Sequence, residues 1–187
     1  RALAIDEHSL GPDHPKVAIR LNNLATLLQA THRLAEAEPL MQRALAIDEH
    51  SLGPDHPKVA TDLNNLALLL QDTHRLAEAE PLMQRALAID EHSFGPDHPN
   101  VARDLNNLAQ LLQATHRLAE AEPLMQRALA INEHSFGPDH PKVAIHLNNL
   151  ATLLQATHRL AEAEPLMQQA LGILLNSTRC MRYEHPH

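Results

Sequence analysis

The sequence predicts an all-α repeat solenoid, and three observations carry that expectation. The stretch VAIRLNNLATLLQATHRLAEAEPLMQRALAIDEHSLGPDHP that begins at Val17 returns at Val59, Val101 and Val143 with few letters changed. Cut at Arg1, Arg43, Arg85 and Arg127, the chain falls into 42-residue units, and the second differs from the first only at positions 19, 20, 26 and 30. A fixed period of this size marks supersecondary units that stack on their neighbours. Apolar residues within each unit recur at helical spacing. Finally, 44% of the chain is hydrophobic but only 2% aromatic, so the core must be built from Leu, Ala, Val, Ile and Met. Such a core suits close helix packing.

Each element follows from local chemistry. In the GPDHP segment, Gly11 and Pro12 end one helix, Asp13 or His14 can cap the next, and Pro15 fits the first helical position. From Val17 the residues Leu21, Leu24, Ala25 and Leu28 recur at three- and four-residue steps, which predicts a helix over about 15–31. Thr31, His32 and Arg33 break the pattern. A second amphipathic run passes through Leu34, Ala37, Met41, Ala44 and Leu45 and ends before Gly53, giving two antiparallel helices per unit. Pro39, with its copies Pro81, Pro123 and Pro165, sits near the start of that second helix and predicts a bend rather than a break.

The same reading places a partial helix at residues 1–9, then helix pairs at about 15–51, 57–93, 99–135 and 141–175, forming one solenoid over 1–175. The chain opens inside a helix, as if cut from a longer array. After Gln168 the match fades, with Gly172, Ile173, Leu174 and Leu175 in place of the acidic helix end, and residues 176–187 are expected to form a loose tail.

The helix pair, with small residues Ala25, Ala37 and Ala44 at its crossing points and Leu24, Leu28, Leu34 and Met41 around them, resembles the tetratricopeptide repeat (TPR). The long unit, with LNNLA in its first helix, AEAEPL opening the second and GPDHP between units, resembles the variety found in kinesin light chains and many bacterial repeat proteins. This chain departs from the common pattern: the usual large aromatic corresponds to Leu21, the glycine beside it to Ala25, the turn glycine to His32, and later tyrosines to Leu34 and Met41. The resemblance implies a right-handed superhelix of helix pairs, first helices lining the concave face, and no enzymatic activity.

A groove of that kind would be lined by positions 19, 22, 26 and 29 of each first helix. These read Ile19, Asn22, Thr26 and Gln29; Thr61, Asn64, Leu68 and Gln71; Arg103, Asn106, Gln110 and Gln113; and Ile145, Asn148, Thr152 and Gln155. An asparagine repeated at one place offers a donor and an acceptor to the backbone of an extended peptide. The alternative is that these amides bond neighbouring helices, the role favoured for Asn23, Asn65, Asn107 and Asn149. Repeats differ mainly on or beside this stripe, and Arg103, as a central fixed charge, implies a preference for an acidic segment. The expected partner is a protein or peptide, with self-association through uncapped solenoid ends as the alternative, since Ile173, Leu174 and Leu175 leave an apolar edge.

Other function classes are disfavoured. A net charge of -8 and the absence of a Lys/Arg cluster argue against nucleic acid. No apolar run is long enough to span a membrane. The single cysteine, Cys180, fits a reducing, cytoplasmic setting. The recurring EHSxGPDH cluster around Glu7, His8, Asp13 and His14 is explained by helix-end electrostatics and capping, so neither a metal nor another cofactor is expected. Glu36 and Glu38 recur as solvated helix starts rather than an acid/base pair, and Ser9 beside His8 lacks the orienting group and oxyanion hole of a triad.

Overall fold

The computed structural model of the protein describes residues 7–183. Residues 7–10 are helical, and eight further helices follow: α1 Pro15–Ala30, α2 Leu34–Leu52, α3 Pro57–Asp72, α4 Leu76–Phe94, α5 Pro99–Ala114, α6 Leu118–Phe136, α7 Pro141–Ala156 and α8 Leu160–Tyr183. No strand occurs among the described residues. Packing divides the chain into two compact units, Arg1–Gly95 with α1 to α4 and Pro96–His187 with α5 to α8.

The helix starts settle a choice that the sequence left open. Of the two candidate caps, it is His14 whose Nδ1 accepts from the Lys16 N–H at 3.1 Å, with Pro15 following at the first helical position. His56, His98 and His140 do the same for α3, α5 and α7. Capping by a ring nitrogen satisfies one of the donors that every helix start leaves unpaired.

Each first helix ends in a six-residue closure. The Arg33 N–H bonds the Leu28 carbonyl at 2.8 Å, the His32 N–H bonds the Gln29 carbonyl at 3.0 Å, and the Thr31 hydroxyl donates to the Leu27 and Leu28 carbonyls. This is a Schellman closure, which requires a left-handed residue at its turn. His32, His74, His116 and His158 occupy that turn with φ between 58 and 62°. Glycine would adopt this conformation without cost, whereas a histidine there is held by the closure around it.

Each second helix runs through its internal proline without a break. Pro39 lies in the second turn of α2, where only one backbone bond is lost. α8 departs from expectation at its far end: it continues to Tyr183, so the tail expected from residue 176 is helical as far as Tyr183, and residues 184–187 lie outside the described residues.

Small clusters of buried residues form the core within individual helix pairs. In the first, Val17, Ala18 and Leu21 of α1 meet Ala44 and Ile47 of α2, with Leu40 at the margin. In the second, Val59, Ala60 and Leu63 meet Ala86 and Ile89, and Leu45 of the preceding pair packs against them. The last cluster, Val143, Ala144, Leu147, Ala170 and Ile173, receives Leu129 from α6 in the same way. Alanine at the crossing points lets the helix axes approach, and within each unit one leucine, Leu45 or Leu129, is handed from the first helix pair to the second.

Candidate functional site

The groove stripe lies on α1, α3, α5 and α7, and within each unit the first helices are tied to one another by their amides. In the first unit, Asn22 Nδ2 donates to Asp62 Oδ1 at 2.5 Å and Gln29 Nε2 donates to Asp72 Oδ2 at 2.7 Å. Asp62 and Asp72 occupy two of the four positions that distinguish the second 42-residue unit from the first. Two acidic changes therefore supply the acceptors for amides one repeat earlier. In the second unit, Asn149 Nδ2 donates to Asn106 Oδ1 at 2.8 Å, so an asparagine assigned a structural role bonds one assigned to the groove.

The stripe is thus uneven in what it offers a partner. Asn64 is buried at 3% exposure. Leu68, Gln71, Asn106, Gln110 and Gln113 are half-buried. Ile19, Thr26, Thr61, Ile145, Asn148, Thr152 and Gln155 are exposed, although Thr26 and Thr152 spend their hydroxyl protons on the Asn22 and Asn148 carbonyls. Gln155 also lies against Met167 Sδ at 3.4 Å. The most open polar strip is therefore that of α7.

Arg103 does not stand as an isolated charge. Its guanidinium bonds the buried Asp104 carboxylate at 2.9 to 3.0 Å. It also lines a cavity of about 310 Å³ with Asn106, Lys142, Ile145 and His146. Lys142 sits 4.4 Å over the Phe136 ring, a cation–π contact. Burial lowers the pKa of His146, favouring a neutral ring in that cavity.

Sequence reasoning placed position 20 and its equivalents, Arg20, Asp62, Asp104 and His146, beside the stripe. The last three are buried, and Asp62 faces Asp48, itself only 1% exposed at the end of α2. The only available signal was the chemistry of the differences: a repeat that gains a carboxylate on an otherwise conserved face needs a partner for it. Among the described residues, no group of three or more His, Cys, Asp and Glu side chains is placed to hold a metal, and no helix is long and apolar enough to cross a membrane.

Comparison with known proteins gives consistent results. A family model described as tetratricopeptide repeat matches residues 1–50, 20–92, 62–133 and 104–176. No curated protein matches the chain. Among solved structures, it is similar to a Podosopora anserina kinesin light chain with nearly identical TPR-like repeats, at 27% identity and a TM-score of 0.76, over 95% of this chain and 84% of that one. It is also similar to BtubC (BKLC) from P. vanneervenii, at 25% identity and a TM-score of 0.79, over 93% of this chain and 68% of the other. Aspartyl phosphate phosphatase F from Bacillus subtilis, at 13% identity and a TM-score of 0.76 over 88% of this chain and 42% of that protein, shares the fold alone. Tetratricopeptide repeats generally mediate protein–protein interaction, and their fold is typically a non-catalytic scaffold. With helix pairs, repeat spacing and family match in agreement, the chain belongs to the tetratricopeptide repeat family and has an all-α solenoid fold of the kinesin-light-chain-like variety.

Proposed function

We propose that the chain is a protein-interaction scaffold that holds an extended peptide or a helix along the strip formed by its first helices. The observation that carries this reading is the amide ladder itself. Within each unit, amide bonds tie the two first helices together, and on α7 the residues Asn148, Thr152 and Gln155 remain exposed beside Ile145. Amides that read backbone groups would supply affinity with little side-chain selectivity. Because Asp104 already offsets Arg103, an acidic segment would gain less from that charge than an isolated arginine would give.

Binding of a diverse peptide library to wild type and to an Asn148→Ala/Gln155→Ala variant tests the proposal. The variant is expected to lose roughly tenfold or more in affinity for selected peptides, as removal of two amide contacts implies. Equal binding by both proteins would remove α7 from the groove.

A second reading, self-association, is favoured by α8. Leu174 and Leu175 stand where earlier repeats carry Asp48 and Glu49, and they are 45% and 59% exposed. Light scattering across concentration decides it: a strict monomer at high concentration sinks this alternative.

A further inference from the structure

The junction between the first two helix pairs buries two carboxylates against each other. Asp48, near the end of α2, and Asp62, in α3, are 1% and 3% exposed, and the charge of Asp48 acts on Asp62 across the junction. Two ionised carboxylates buried side by side repel, and neither has a proton to offer the other. Asp48 Oδ1 and Asp62 Oδ2 are both buried and have no donor. One proton placed between the two groups supplies a partner to both orphans.

The surroundings accommodate one negative charge but not two. Lys58 Nζ lies 3.8 Å from Asp48 Oδ2 and can offset a carboxylate there. From α1 comes the uncharged Asn22 amide, donating to Asp62 Oδ1. The charged groups acting on Asp62 are Asp48 from α2 and Lys58 from its own helix. The corresponding positions near the end of the chain read Asn132 and His146, both buried, and these can meet without a carboxyl proton.

We propose that Asp48 and Asp62 share one proton in the folded array, Asp62 O–H donating to the Asp48 carboxylate, and that loss of this proton to solvent as pH rises loosens the α2–α3 junction. The device makes the first unit sensitive to pH from inside the fold, and it reaches the peptide strip through Asn22. Burial, followed by the charge of Asp48, pushes the Asp62 pKa up to about 7. In an unfolded chain the group titrates near ~3.9, so its contribution to stability is fully present below about pH 4 and is lost as pH rises through about 7.

Carbon-detected NMR titration of the aspartate carboxyls, in wild type, D62N and D48N, reads the proton directly. The Asp62 carboxyl, assigned by its loss in D62N, is expected to titrate near neutrality in wild type and to move to lower pH in D48N. Hydrogen exchange reads the consequence: after correction for intrinsic rates, α2–α3 amides of wild type should open roughly tenfold or more often at about pH 8.5 than at about pH 6, and those of D62N should change much less. The proposal is overturned if every wild-type aspartate titrates in the ordinary acid range, or if D48N leaves the neutral titration of Asp62 in place. The wild-type titration decides the matter even if neither variant folds.

Discussion

Leu27 and Leu69 hold the same place in two nearly identical helices of the first unit, yet Leu27 is 61% exposed and Leu69 is 0% exposed. Leu24 and Leu66 repeat the contrast, at 38% and 6%. Leu69 shares the face of α3 that carries Asp62 seven residues earlier, the face to which α1 bonds through Asn22. α1 has no first helix before it among the described residues. An identical residue is therefore core or surface according to whether a neighbour stands beside it, and in a repeat array stability resides in the interface as much as in the repeat.

The sharpest way to break this comparison is to truncate both leucines. Leu69→Ala should cost about 3 kcal/mol, within the range for buried leucines, whereas Leu27→Ala should cost less than ~1 kcal/mol. Urea unfolding of the two variants gives the difference, and equal losses would mean that the neighbour is not what makes Leu69 core. A cap provides the control, because its bond is local. His56→Ala and His14→Ala should each cost about 1 kcal/mol at pH 8, and they should cost the same. A clear gap between the two would extend the neighbour effect to the loops. The smallest expected change is a gain: His74→Gly relieves a left-handed φ of 60° but frees the unfolded chain, for a net stabilisation of up to ~0.5 kcal/mol in the same assay.

Much of the fold was legible because it depends on contacts close in sequence. GPDHP places a breaker, a cap and an N1 proline within five residues, and the structure starts α1, α3, α5 and α7 at those prolines. The apolar steps from Val17 marked the buried face correctly at Leu21, Ala25 and Leu28, while Leu24 is exposed where no first helix precedes α1 among the described residues. The limit at the other end has a local reason. QALGILLNSTRC lacks the Gly-Pro stop that ends α2, α4 and α6, so α8 has no signal to end at residue 175 and runs on to Tyr183.

The candidate site was legible only as a stripe. Asn22, Asn64, Asn106 and Asn148 read alike in the sequence, but the first bonds Asp62, the second is buried, the third accepts from Asn149 and the fourth is exposed. Asp48 and Asp62, 14 positions apart, gave no sign of facing one another. The sequence by itself determined the helix pairs, the segments that start and stop them and the apolar face, since those rest on bonds within a few residues and on a 3.6-residue period. Only the tertiary structure decided which amides are committed, which leucines are covered and which carboxylates meet, because each depends on a group in another helix whose distance the intervening chain does not specify.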